Sequence, residues 1–269
     1  MDFAKRFVVK PGTKVNLSER DADDAAGIAD KNEARPALKR NVKRLGDLQY
    51  LLYAENKRAL LIILQAMDAG GKDGTIRHVM GSLNPQGVEV TSFKAPAGEE
   101  LAHDFLWRIH KAVPRKGRIG IFNRSHYEDV LIVRVRDLVP KEVWAARYQE
   151  INAFEEGLVA AGVHILKFYL HISKDEQLKR LKSRLKDPAK HWKVDPADFK
   201  ERTHWDAYVE AYEDALSKCS TEAAPWYVIP SNQKWFRNLA VSAIMVDALQ
   251  RLKMKFPEPA FDVSKIKVK

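Results

Sequence analysis

The stretch "LQAMDAGGKDGTIRHV", residues 64–79, decides how the chain is read. It approximates the phosphate-loop pattern G-x-x-x-x-G-K-[ST] with two departures: Ala66 stands where the first Gly belongs, and Asp73 follows Gly71-Lys72 in place of Ser or Thr. Its surroundings support the pattern. An apolar run from Ala59 to Ala66 precedes it and a helix opens after it, which is the strand, loop, helix order that a phosphate cradle requires. Gly70, Gly71 and Gly74 let backbone amides turn inward, the helix beginning near Lys72 adds its positive end, and Lys72 brings a mobile ammonium. Ala69 and Thr75 complete the cradle. Asp73 would repel phosphates unless a cation stood between them, and Asp68 adds a second carboxylate just before; Mg²⁺ favours such oxygen donors.

Outward from the loop, strands and helices alternate. The apolar runs are "ALLIILQA", "VEVTSF", "RIGIF", "VHILKFYLHI" and "PWYVIP". Helical patterns fall at about Ala34–Asn56, after the glycine turn, around "EELAHDFLWRIHKAV", at Lys141–Ala161, Asp175–Lys186, Pro196–Ser217 and Lys234–Lys253. Five continuous apolar strands separated by helices predict a parallel sheet covered on both faces. Residues 1 to about 35, rich in charge and turn formers, are read as an extended arm. A length of 269 residues suits one domain with elaborations.

Net charge is +10 and the pI about 9.5, which favours anionic partners without separating nucleic acid, membrane surface and polyanionic metabolite. The single cysteine, Cys219, forms no internal disulfide and there is no Cys/His cluster at zinc spacing, so a reducing cytoplasm is expected. Neither "MDFAKRFVVK" nor "ALLIILQAM" has the length of a leader or a membrane span, so a soluble, unexported protein is expected.

A second constellation, "RIGIFNRSHYEDV" at residues 118–130, closes a later strand, where α/β proteins bind ligands. Asn123 occupies the position that normally carries the metal-serving Asp, which shifts metal charge balance to Asp68, Glu128 or Asp129. Arg124 is suited to grip phosphate bidentately and Glu128 to orient or deprotonate an incoming oxygen. Between Lys174 and Lys193 stand eight Lys or Arg against three acids. Leu178, Leu181 and Leu185 have the spacing of an inward helix face, leaving Arg180 and Arg184 to offer two guanidinium groups to a line of phosphates. The loop "DPAKHWKVDP" that follows suits a lid, with Trp192 either stacking a base or packing. Aromatics in "HWDAYVEAYEDAL" and "QKWFRNL" are read as core.

The segments "MDAGGKDGT", "FNRSHYEDV", "LHISKDEQLKRL" and "APWYVIP" resemble those of family 2 polyphosphate kinases, over about residues 40 to 260. Glu128, where many relatives have Asn in a "SWYNR"-like sequence, resembles the class III branch, associated with phosphorylating both nucleoside mono- and diphosphates. The resemblance implies a P-loop kinase fold akin to thymidylate kinases: a three-layer α/β/α core with a central parallel five-stranded sheet and a helical lid. One domain is then expected, with an N-terminal arm and helix over about 1–57 and the lid over about 174–200. It further implies Mg²⁺, with Mn²⁺ as a substitute, and a homo-oligomer, dimer or tetramer. Position by position, Asp68 would assist the metal and the acceptor phosphate, and Lys72 with the amides of residues 69–75 would hold phosphates. Asp73 would complete the loop, Arg124 would bind phosphate at the reacting centre, and Arg180 and Arg184 would belong to the lid. Asp68, Asp73, Glu128 and Asp129 would share the metal.

The expected activity is Mg²⁺-dependent transfer of the terminal phosphoryl of inorganic polyphosphate to AMP and ADP, with adenine and secondarily guanine nucleotides as partners and neither nucleic acid nor membrane. A donor without base or ribose calls for a basic track and metal rather than an adenine slot. The enzymatic rival is an ATP-dependent nucleoside monophosphate kinase. A purely binding protein is the other, against which the carboxylates Asp68, Asp73 and Glu128 argue, since a simple anion binder gains nothing from them.

Overall fold

The computed structural model of the protein describes residues 1–266. At its centre lies a five-stranded, all-parallel sheet in the order β2-β3-β1-β4-β5, formed by β1 (Ala59–Gln65), β2 (Val88–Ser92), β3 (Ile119–Asn123), β4 (Val163–His171) and β5 (Trp226–Pro230). The alternation along β1 shows why three layers result. Leu60, Ile62 and Leu64 enter one apolar cluster and Ala59, Leu61 and Ile63 the other, because successive side chains of a strand point to opposite faces. All seven residues of β1 are buried, as the continuous apolar run requires.

Helices α2 (Lys31–Glu55) and α10 (Lys234–Arg251) cover the first face; α6 (Lys141–Ala160) and α9 (Trp205–Lys218) cover the second. The short helices α3 (Lys72–Thr75), α4 (Trp107–Lys111), α5 (Ile132–Val135), α7 (Lys174–Leu185) and α8 (Pro196–Glu201) build the rim at the carboxyl ends of the strands and the outer edge of β2.

Four expectations are corrected. The amino-terminal arm is a packed element rather than an extended one. Its helix α1 (Phe3–Phe7) sets Phe3 and Phe7 edge-on against Phe236 at 5.8 and 5.9 Å, and Val9 N donates to Trp226 O at 2.8 Å, closing the exposed edge of β5. Helix α2 starts three residues earlier than Ala34, because the Asp30 carboxylate accepts the Asn32 and Glu33 amides. The helix expected around Glu99–Val113 is a single turn, Gly98–Ala102, followed by α4, since Asp104 caps Leu106 and restarts the chain. Likewise, the helix expected over Pro196–Ser217 breaks at Arg202–His204 into α8 and α9. That break lets both pieces line one cleft.

Candidate active site

The loop after β1 takes its shape from conformations that few side chains permit. Ala69 and Gly71 both have positive φ, 59° and 110°. A Cβ on Gly71 would collide with the Arg237 guanidinium, and one on Gly70 would strike the Ala66 methyl and approach Met67 O to 2.8 Å. Ala66 therefore tolerates nothing larger than glycine at position 70.

Three consecutive carbonyls of the loop are held from outside. Gln177 donates to Asp68 O at 3.1 Å, and Arg180 Nη1 donates to Ala69 O and Gly70 O at 3.0 Å each. The other end of the same guanidinium donates to Ser231 O and Asn232 O at 2.5 and 3.0 Å, tying the loop to the turn after β5. With these carbonyls taken, and with the Gly70 amide donating to Met67 O and the Thr75 amide to Gly71 O at 2.9 Å each, the remaining loop amides are the ones left to meet an anion. Arg180 thus differs from the expectation. Its side chain is buried and engaged with backbone and Glu176, because the turn of α7 that carries it faces the loop rather than solvent. Arg184 is bonded to Asp198 at 3.1 Å, so the two guanidiniums do not form an open row. Of the three leucines expected to face inward, Leu181 is buried while Leu185 is exposed.

Lys72 folds its ammonium back onto Ala66 O at 3.0 Å; burial, then the nearby Arg124, lower its affinity for its proton, against Asp68 and Glu128. Thr75 is fully buried with its hydroxyl donating to Gly71 O at 3.1 Å, which turns it into the loop's own scaffold. Asp73 accepts from Asn123 Nδ2 at 2.9 Å and from Lys193 Nζ at 3.4 Å, so the amide that replaced the usual acid anchors the loop's own carboxylate.

Across the cleft, β3 delivers Arg124 in a left-handed conformation, φ 65°, with its amide donating to Leu64 O. Its guanidinium lies between two carboxylates, 2.9 Å from Asp68 and 3.8 Å from Glu128. These three side chains line a cleft of about 240 Å³ with Trp205, Tyr208 and Tyr212. Of these α9 aromatics, expected to be core, only Tyr212 is a buried core residue; Trp205 and Tyr208 are half-buried against the same cluster, and all three present an edge to the cleft. Trp192 neither packs nor meets another ring; it is 78% exposed beneath the Lys193 ammonium.

Asp129 is the second correction among the site residues. It is buried and turned towards Arg147, 3.1 Å away, where burial, partly offset by Arg147, pushes its carboxyl up to about 6. It is not among the cleft-lining residues with Asp68 and Glu128. Among the described residues no three His, Cys, Asp or Glu side chains converge as a ready-made metal cage. The donors present, Asp68, Asp73 and Glu128, are hard oxygens with exposures of 28, 70 and 17%. They fit a magnesium-type ion that draws one or two carboxylates from the protein and its other ligands from water and phosphate.

Four contributors are not apparent from the sequence. Arg237, in a segment read as core, is 2% exposed under Gly71 and Gly74, bonded to Asn238 Oδ1 at 2.8 Å; burial, reinforced by Arg180, lowers it to about 10. Asp198, Glu201 and Arg202 enter the cleft only because the chain bends between α8 and α9.

Comparison with known proteins agrees with this geometry. The description Polyphosphate kinase 2 (PPK2) matches residues 28–257. The chain is 52% identical over 263 residues to the AMP/ADP-polyphosphate phosphotransferase of Meiothermus ruber, covering 97% of this chain and 98% of that one. It is 47% identical to the ADP-polyphosphate phosphotransferase of Rhodopseudomonas palustris over 94 and 92% of the two chains. The crystal structure of polyphosphate kinase 2 from Arthrobacter aurescens superposes with a TM-score of 0.94 at 45% identity, over 98% of this chain and 94% of that one. A phosphate loop clamped by its neighbours, a guanidinium set between two carboxylates beside it, and matches of this length together place the chain in the polyphosphate kinase 2 family.

Proposed function

We propose that the protein is a polyphosphate:nucleotide phosphotransferase of the class III kind, moving the terminal phosphoryl group of inorganic polyphosphate onto AMP and ADP to give ADP and ATP, and running in both directions. A terminal phosphate oxygen of the acceptor attacks the last phosphorus of the chain; the bridging P–O bond breaks and its electrons stay with the polyphosphate, now one unit shorter. The observation that carries the reading is Arg124 held between Asp68 and Glu128 at the mouth of a loop whose carbonyls are clamped outward. The names of the two near-full-length relatives supply the donor and the acceptors, and they do not favour the ATP-dependent rival.

In this reading those amides of residues 69–75 that are not donated within the loop receive donor phosphates, and Lys72 leaves Ala66 O to join them. Arg124 neutralises charge where donor and acceptor meet, so their repulsion falls and an in-line approach becomes accessible. Because the acceptor is already an anion, Glu128 orients Arg124 and serves a cation rather than removing a proton. Asp68 with Asp73 or Glu128 would hold Mg²⁺, or Mn²⁺ in its place, which would offset the charge of the phosphates. The chain works as one catalytic domain, with the arm and helix of about residues 1–57 bracing β5 and α10 and the segment of about 174–200 as lid. It is assigned to the cytoplasm as a dimer or tetramer, with no part for nucleic acid or membrane.

The test compares donors: AMP and Mg²⁺ with polyphosphate in one reaction and with ATP in another, and ADP formation followed by chromatography. ADP from polyphosphate supports the reading; ADP only from ATP transfers the protein to the rival class.

A further inference from the structure

The turn that presents Arg124 and Glu128 is fastened from below by an ionic cluster inside the core. Lys167 stands in the middle of β4, 0% exposed, on the face that packs against α6. Its ammonium has three protons and uses all three: Tyr127 Oη at 2.9 Å, Glu155 Oε2 at 2.5 Å and Cys219 O at 2.6 Å. Glu155, 1% exposed on α6, accepts from Tyr127 Oη at 2.9 Å with its other oxygen, which also meets His126 Nε2 at 3.2 Å.

The charge states are fixed by this arrangement. Burial pulls the Glu155 carboxyl up, but Lys167 and His126 outweigh it and hold it below the usual range; burial keeps His126 neutral and Tyr127 a phenol. A carboxylate only accepts, so His126 carries its proton on Nε2 and leaves a buried Nδ1 without a partner.

Such a pair is a weak source of stability, since desolvating two charges offsets most of their attraction, and apolar replacements of similar volume are commonly neutral or better. What it specifies is direction. His126 and Tyr127 are consecutive, and Arg124, two residues before His126, and Glu128, directly after Tyr127, line the cleft. Ser125 completes the grip: its hydroxyl accepts from Gln65 at the end of β1 and from the Tyr127 amide. Within the turn of residues 124–130, Arg124 alone has the uncommon left-handed backbone, which surroundings must impose.

We propose that the Glu155–Lys167 pair is a positioning device for phosphoryl transfer, anchoring His126 and Tyr127 so that Arg124 and Glu128 meet the reacting phosphates in register. The assignment rests on the phosphotransfer reading above, and its test uses whichever donor, polyphosphate or ATP, the wild-type protein turns over, so that a wrong donor and a wrong positioning role give different results.

The pair is replaced as a unit by Glu155→Gln with Lys167→Met, which removes both charges and strands neither. The melting temperature is measured, together with kcat and KM for the donor, in the wild-type background and again with Arg124→Lys. The expected result is a cooperatively folded variant whose kcat falls about tenfold to a hundredfold, the scale of a misplacement of about 1 Å, with donor KM changed less than about twofold. With Arg124→Lys already present the same replacement should cost less than about threefold, because the residue it positions is gone. Losses that multiply in the two backgrounds, or an unchanged kcat in the folded variant, would overturn the proposal. Should the double replacement not fold, Tyr127→Phe serves instead. It deletes one hydroxyl, leaves Glu155 and Lys167 paired, and should show the same dependence on Arg124 with a smaller drop; additive losses there refute the role equally.

Discussion

The turn His126–Val130 separates two ionic clusters of opposite character. Above it, Asp68, Arg124 and Glu128 stand in the cleft, the arginine 40% exposed and reachable by solvent. Below it, Glu155 and Lys167 are sealed in the core with every ammonium proton committed. Coulomb attraction is screened in the first and strong in the second. The difference teaches how such a site divides its labour: the exposed charges remain free to exchange partners for phosphate, while the buried ones fix where the exposed ones begin.

Perturbing the upper cluster and its loop should therefore cost catalysis far more than stability. Lys72→Ala is expected to lower turnover by about a thousandfold while the melting temperature stays within a few degrees, since its ammonium makes one bond to Ala66 O in the free protein. Near-wild-type turnover would remove Lys72 from the mechanism. Arg124→Lys keeps the charge but loses the planar fork, and about a hundredfold loss in kcat is expected in steady-state kinetics. A loss confined to KM would make Arg124 a binding residue only.

Arg180→Met tests the clamp between the loop and α7. Releasing the Ala69 and Gly70 carbonyls should loosen the cradle and raise the donor KM about tenfold, with a smaller effect on kcat. If instead kcat falls and KM holds, the guanidinium acts on the transition state and the clamp account fails.

The smallest effect concerns Asp129, which shares the turn yet belongs to neither cluster. Its carboxyl is raised from 3.8 to about 6, so the folded protein favours the protonated form. Stability from this group is full below the unfolded value and is lost as pH rises through the folded one, at most about 3 kcal/mol at 1.36 per unit. Asp129→Asn keeps the neutral shape at all pH values. Its stability relative to wild type, followed by denaturant titration, should climb from near zero at about pH 4 to about 1–3 kcal/mol at pH 8. A difference that does not vary with pH would contradict the burial of that carboxyl.

The sheet, the phosphate loop and the pairing of two strand ends were legible because they follow from local patterns: continuous apolar runs, and glycines beside a lysine at a strand-to-helix junction. The inward turn of Arg180 was not. Helical spacing says that Arg180 and Arg184 are neighbours, but not that the loop's carbonyls stand opposite one of them. Arg237 was hidden because its partners, Gly71 and Gly74, are remote in sequence. One signal for the buried cluster did exist. Lys167 interrupts the apolar run "VHILKFYLHI", and a charge there has to find a partner in the core. That the partner is Glu155, and that both hold Tyr127, depends on the register of β4 against α6, which no periodicity encodes.

The account is tested most directly by separating nucleotides after incubation with Mg²⁺ and polyphosphate, AMP alone in one tube and ADP alone in another, with no ATP added to either. It predicts ADP and then ATP from AMP, and ATP from ADP. ATP from ADP alone would remove AMP as an acceptor and with it the class III assignment, and no product in either tube would contradict the polyphosphate donor itself.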